Sequence, residues 1–305
     1  MRTALFSRHQ PGGVFTVDDI VEHPGDIFFV QSGHSAASDA AGYGNTPDKP
    51  FATLDYAVGK CTANQGDTIY VMPGHNEGIT TAAQIALDMA GIRVIGLGWG
   101  SLKPTFDFDA DAASFAVGAS NIICENLRFR VSANAVTVGV DILAGFDYTQ
   151  LLRCEFGYAE TATDEFAIAL RNNAGCDHTI IDECFFDAGA QAAVAAISLT
   201  GASDDPIIRN SRFLGAYSTA CVNGITTLST NLLIEDNLFY QGATEPAIEL
   251  LTNTTGIIRR NDIKTNLATM AAAIVADACY LFDNYYNEDV NPGTGALIGT
   301  ASAND

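Results

Sequence analysis

Ile207-Ile208-Arg209-Asn210-Ser211-Arg212-Phe213 is the stretch on which the reading of the fold turns. It opens on an apolar doublet, crosses polar positions and closes on an aromatic. The same frame occurs upstream as ICENLRF ending at Phe129, QLLRCEF at Phe156 and IIDECFF at Phe186. Downstream it returns as LIEDNLF ending at Phe239, IIRRNDI at Ile263 and YLFDNYY at Tyr286. The seven occurrences align without gaps, at intervals of 27, 30, 27, 26, 24 and 23 residues. Second short apolar segments lie between them, such as Phe166–Leu170, Ile197–Leu199 and Ala247–Leu250, with Asn, Thr and Gly clusters as punctuation.

Short strands at this period leave no room for a crossover helix. Such a unit cannot bury its inner face alone and must stack on its neighbours as a solenoid of β-coils. Stacking sets equivalent positions about 4.8 Å apart. The closing column, Phe129 to Tyr286, becomes an aromatic stack inside the tube. Two residues earlier, Asn237, Asn261 and Asn284 form an asparagine ladder at a bend, below the small fillers Cys154 and Cys184. Asp182, Arg209, Glu235 and Arg259 alternate in sign and fix register.

Strand side chains alternate between faces. If Leu151, Ile181, Ile208, Ile234, Ile258 and Leu281 point inward, then Ile180, Ile207, Leu233, Ile257 and Tyr280 point outward, with Gln150 the polar exception in that column. An exposed apolar stripe of that length calls for cover, and a closed homotrimer packed along it is the expected one. The competing reading is a bend that turns both members of the doublet inward.

The first hundred residues add a strand at Asp26–Val30 and a helical pattern near 50–60, with Thr53 as its N-cap. Two further strands follow, within Gly66–Gly74 and Gly91–Gly98. The order PFATLDYAVGKC, GDTIYVMPGHNEG, GIRVIGLG and then repeated IIRN-type coils resembles right-handed parallel β-helix proteins of the pectate-lyase-like superfamily, over roughly residues 26–287. In pattern it is similar to β-helical structural proteins of tailed bacteriophages, some of which sit on virions as trimers. The expected fold is therefore all-β, a right-handed parallel β-helix of roughly ten coils with a short N-terminal capping helix. Residues 1–25 read as a docking arm, 26–286 as the solenoid and 287–305 as a polar tail.

Enzymes of the superfamily cleave polysaccharides, which would require a base beside carboxylates on one exterior face. Of Lys49, Lys60, Lys103 and Lys264, only Lys264 falls in a recognisable coil. Asp204-Asp205 stands alone in a turn, and no Arg-Ile-Lys strand occurs. Asp107, Asp109 and Asp111 suggest calcium, but Ala112 and Gly118 occupy the positions where an EF-hand needs Gly and Glu, so a solvated strand face is expected. His34 and His75 lack a ligand partner at metal spacing, and Gly96-Leu-Gly98-Trp-Gly100 departs from the dinucleotide fingerprint. Trp99, the single tryptophan, is read as part of a loop tucked on the core, with an exposed contact residue as the alternative. No catalytic residue, metal or cofactor is assigned.

The net charge of −21 argues against nucleic-acid binding. No apolar run is long enough to span a membrane, and no secretory signal is read. Seven cysteines at irregular spacing read as buried thiols. Residues 1–17 hold Arg2 and Arg8 and no acid, so the negative charge lies wholly on the rest of the chain. Arg2, Phe6, Arg8 and Phe15 are therefore expected to dock on a capsid or other virion protein, against the plain alternative of a frayed terminus. Together with the resemblance, this gives the expected function: a non-enzymatic bacteriophage virion protein, an outer capsid (decoration) protein. The alternative is a polysaccharide-degrading or glycan-binding β-helix protein, like a small tailspike lyase or hydrolase.

Overall fold

The computed structural model describes residues 6–10, 13–17, 25–158, 164–267, 272–288 and 296–298; for 6–10, 13–17, 158, 190–192, 288 and 296–298 the description is of the backbone alone. The chain winds as an all-β parallel solenoid. Ten parallel strands form one sheet, sheet 1, from Ile27–Val30 through Ile123–Glu125 and Ile207–Arg209 to Cys279–Phe282. From Thr68–Val71 onward, each is followed in the chain by a strand of a second sheet, from Asn76–Ile79 through Arg128–Val131 to Asn284–Glu288. A branch of sheet 2 makes the third side of the tube, with Phe115–Val117, Val136–Ile142 and Phe166–Asn172 among its strands. The long strands Phe185–Leu199 and Arg212–Gly224 bend from one side into the next, with register shifts between Asp187 and Ala195. The strands of the first hundred residues belong to the same sheets, since Thr68–Val71 pairs with Arg93–Gly96 and that strand with Ile123–Glu125.

The corner between sheets 1 and 2 is made by one residue per coil. Asn126, Arg153, Glu183, Asn210, Asp236, Arg260 and Asp283 all have φ between 49° and 57°. That left-handed conformation costs most L-residues roughly 1–2 kcal/mol. Here the backbone repays it. The N–H of each residue from Asn126 to Arg260 in this column donates to a carbonyl of the next coil, such as Glu183 to Arg209 and Asn210 to Glu235. The corner thus turns the chain without breaking the ladder.

Inside the tube the closing column stacks as its spacing predicts. Ring centroids lie 4.9 Å apart for Phe129 and Phe156, 4.6 Å for Phe156 and Phe186, 5.0 Å for Phe186 and Phe213, and 4.6 Å for Phe213 and Phe239. Beside it runs the asparagine ladder. Asn261 Oδ1 accepts from the Asn237 amide and backbone N–H at 3.0 Å each, and Asn284 Oδ1 accepts likewise from Asn261 at 2.9 and 3.1 Å. Ser211 continues the chain of bonds upward to the Cys184 N–H. All seven cysteines are free and buried.

At the N-terminal end a five-residue helix, α1 (Leu54–Val58), is shorter than the 50–60 stretch. Thr53 Oγ1 accepts the Tyr56 N–H at its start, and Leu54, Ala57 and Val58 are buried against the core. Two further strand pairings lie near the ends of the chain. The strand Asn284–Glu288 runs into the residues assigned to the polar tail, and Ala296–Ile298 pairs antiparallel with it. Among the described residues, Ala296–Ile298 stands at the edge of sheet 2. In the expected arm, Phe6–Gln10 and Gly13–Val17 form an antiparallel hairpin.

Candidate functional site

On sheet 1 the doublets face opposite ways, so the bent alternative does not hold. Leu151, Ile181, Ile208, Ile234 and Ile258 are buried in the core, and Leu281 packs partly buried against it. The neighbours in sequence stack outward in register: Gln150 on Ile180, Ile180 on Ile207, Ile207 on Leu233, Leu233 on Ile257 and Ile257 on Tyr280. The four aliphatic residues from Ile180 to Ile257 are partly exposed and Tyr280 is 50% exposed. Tyr280 stacks on Phe282, 46% exposed, with centroids 6.3 Å apart. The result is one apolar column facing away from the core, broadened at its C-terminal end by two rings.

Both flanks of the column are polar between Leu152 and Phe282, which stand at the two ends of one of them. On one side Arg209 reaches Asp182 at 2.8 Å and Arg259 reaches Glu235 at 2.7 Å, so the alternating charges bond coil to coil. Arg260 adds pairs to Glu235 and Asp236, holding Asp236 below the usual carboxylate range. On the other side stand Tyr148, His178 and Asp205, each with positive φ. Tyr148 stacks on His178 at 4.5 Å, and His178 Nε2 lies 3.3 Å from an Asp205 carboxylate oxygen.

Sheet 2 carries a different feature on its exterior. A cleft of about 430 Å³ is lined by Arg128, Arg130, Glu155, Gly157, Phe185 and Asp187 among others. It exists because Gly157, an outward position paired with Arg130, contributes no side chain. Glu155 is clamped between Lys103 Nζ and Arg128 Nε, at 2.9 Å each. Burial alone would raise its pKa, but these two partners outweigh it and hold Glu155 below the ordinary value. Arg130 pairs with Asp107. Beyond it, burial and the Asp107 charge push Asp109 up, against the opposing pull of Arg130. The Arg128 guanidinium also donates to Gly100 O at 3.1 Å, tying the Trp99 loop to the rim of the cleft.

Several single-residue expectations are corrected. Trp99 is not tucked on the core but 85% exposed, because Gly98 and Gly100, both at positive φ, turn its loop outward. Asp107, Asp109 and Asp111 do not share a solvated strand face. The strand ends at Phe108, and Asp107 is buried and paired. Lys103, set aside as lying outside the coils, is buried and bonds Arg153 O and Glu155 across coils. His75 does have an acidic partner, Glu77, at 3.0 Å; its Nδ1 accepts the Ser32 N–H, so the ring proton sits on Nε2. Both residues are buried. Asp204 and Asp205 are separated in role, Asp204 taking part in a ladder with Asp177 and Thr230. Arg2 lies outside the described residues, and for Phe6, Arg8 and Phe15 only the hairpin backbone is described. Among the described residues no group of three His, Cys, Asp or Glu could hold a metal ion, and no helix is long and apolar enough to cross a membrane.

No protein-family model and no curated protein matches the chain. Among solved structures, a rhamnogalacturonan lyase is similar at 12% sequence identity and a TM-score of 0.46, over 85% of this chain and 87% of that one. It says nothing of this chain's chemistry.

Proposed function

We propose that the protein is a non-enzymatic structural component of a bacteriophage particle, an outer-capsid protein that works as an assembled homo-oligomer. The observation that carries this reading is the outward column from Ile180 to Tyr280, an apolar surface with no role in the core of its own chain. A protein that acts alone has no use for such a column and bears an aggregation hazard with it. The cations of the coils support the reading from the other side. Arg128, Arg153, Arg171, Arg209 and Arg259 each hold a carboxylate on a neighbouring coil, and Lys103 holds Glu155 two coils away, so they serve as staples. A lyase needs a base free to take a proton, and these are engaged.

Mass spectrometry of purified particles made with and without the gene tests the placement. The protein should be present in stoichiometric amounts, and its absence from particles contradicts the proposal. Deleting residues 1–20 should leave the β-sheet circular dichroism intact and abolish attachment to particles lacking the protein; retained attachment contradicts the docking role of Arg2, Phe6, Arg8 and Phe15.

A second reading, a glycan-binding or glycan-degrading protein, is favoured by the cleft at Gly157 with exposed Trp99 on the loop tied to its rim. Saturable glycan binding lost in Trp99→Ala would support it. Turnover to reducing ends or unsaturated products would make it an enzyme.

A further inference from the structure

The inner column that becomes the asparagine ladder carries cysteines on two adjacent coils. We propose that Cys154 and Cys184 are an oxidisable pair that closes into a disulfide, stapling one coil to the next inside the tube.

Register puts the two cysteines at one position of the coil. Leu152 pairs with Asp182 and Glu155 with Phe185, and a single left-handed residue, Arg153 or Glu183, precedes each cysteine. Equivalent positions on stacked coils lie about 4.8 Å apart, inside the range of roughly 4.4–6.8 Å that a disulfide spans between Cα atoms. The side chains converge within that gap. Cys184 Sγ rises to 3.4 Å from Leu151 O, on the coil of Cys154, and its S–H donates to the Cys154 sulfur. The polar side chains of this column accept the backbone N–H one coil before them. Asn237 Oδ1 accepts from Ser211 at 2.9 Å, and Ser211 Oγ from Cys184 at 3.1 Å. The Cys184 sulfur accepts from Cys154, and the Cys154 sulfur from Leu127. Oxygen makes the lower rungs strong, whereas sulfur is a weak acceptor, so the ladder loosens at the two cysteines. A covalent bond there supplies what the weaker rungs lack.

The two thiols are set for different parts in the reaction. Burial would raise the Cys154 pKa, but the Cys184 S–H, the Leu127 N–H and the charge of Lys103 outweigh it and hold Cys154 below the ordinary thiol value. Lys103 Nζ donates to Arg153 O, the carbonyl next to Cys154, at 2.8 Å. Burial pushes Cys184 well up, so it keeps its proton. A thiolate beside a protonated thiol is the arrangement of a nucleophile with its resolving partner. Both cysteines are buried, yet the Arg153 and Glu183 side chains just before them are 51% and 56% exposed. The pair lies one residue beneath the surface, within reach of a small oxidant, hydrogen peroxide, when the corner opens locally. The Cys154 thiolate attacks one peroxide oxygen and the O–O bond breaks. The departing hydroxide takes a proton to become water, leaving a sulfenic acid on Cys154. The Cys184 sulfur then attacks the Cys154 sulfur, forming the S–S bond, and its proton leaves with the sulfenic hydroxyl as a second water. Two thiols lose two electrons, and one peroxide is reduced to two waters.

Peroxide treatment of the folded protein, then alkylation in urea and mass spectrometry, tests the pair. Five of the seven thiols should alkylate, and the peptides bearing Cys154 and Cys184 should be joined. The urea midpoint of the oxidised protein should rise and return with dithiothreitol, because closing a loop of 30 residues restricts the unfolded chain. Cys184→Ser, which places at this rung the residue that Ser211 already supplies at the next, should show neither the link nor the shift. A second arm refolds the chain from urea in a mixture of reduced and oxidised glutathione, so that burial does not bar the oxidant. A 154–184 link in neither arm overturns the proposal. So does a link that joins Cys154 to Cys124 instead, or a Cys154 sulfinic acid beside a free Cys184 thiol.

Discussion

Asn261 holds the solenoid at three heights at once. Its amide donates to Ile234 O at 3.0 Å and Asn284 Oδ1 at 2.9 Å, while its Oδ1 accepts from Asn237. Fully buried, it leaves several groups unsatisfied when removed. Asn261→Ala should cost about 2–4 kcal/mol in urea unfolding with an unchanged far-ultraviolet spectrum, whereas a cost under about 0.5 kcal/mol would mean water substitutes for the ladder. Glu155 makes an equally local prediction with a pH sign. Its folded pKa is depressed by Lys103 and Arg128, so its stabilisation is complete above the ordinary carboxylate range and is lost as pH falls through the depressed value. Glu155→Gln should therefore destabilise at neutral pH by about 1–3 kcal/mol, discounted for partial exposure, and by much less in acid, below the depressed value. Urea midpoints at both pH values check it, and an equal loss at the two would remove the ion pair as the cause.

At the scale of the coil, the left-handed corner is the element that sets the cross-section. Glu183 occupies it with φ 54° and an exposed side chain whose ion contact is a long one, Arg153 at 3.6 Å. Glu183→Gly should leave stability within about 1 kcal/mol of the parent, because glycine adopts this conformation freely. Glu183→Val should lose about 1–2 kcal/mol more, since a branched side chain crowds the carbonyl there. Equal thermal midpoints for the two would contradict the corner's role. This element was not legible in the sequence. Asn126 or Asn210 could have suggested a turn, but Arg153, Glu183 and Arg260 carry no such signal, and only the stacked neighbours hold them there. The aromatic and asparagine columns were legible because a solenoid makes them from one repeated position. The cleft at Gly157 was not, because its walls come from different coils. Lys103 and Glu155 are 52 residues apart in the chain and meet only when the coils stack. The exposure of Trp99 is hidden for a related reason: an apolar residue between glycines reads equally as packing or contact until the backbone turns it outward.

For the whole molecule, the charge and the stripe make opposing demands. A chain at −21 repels its own copies, so association requires a surface where charge is balanced. Sheet 1 provides it, because its outward arginines are matched to acids on adjacent coils and its central column is apolar. Association there should accordingly be little affected by moderate salt, unlike contacts that depend on the acidic remainder. The central claim is that the outward column is an interface rather than core. Light scattering on the folded protein and on Ile207→Glu/Leu233→Glu tests it most directly. The account predicts three times the 32.2 kDa chain mass for the parent and a soluble, folded single chain for the variant. A variant that keeps the parent's mass, or a parent that is itself a single chain, would contradict it.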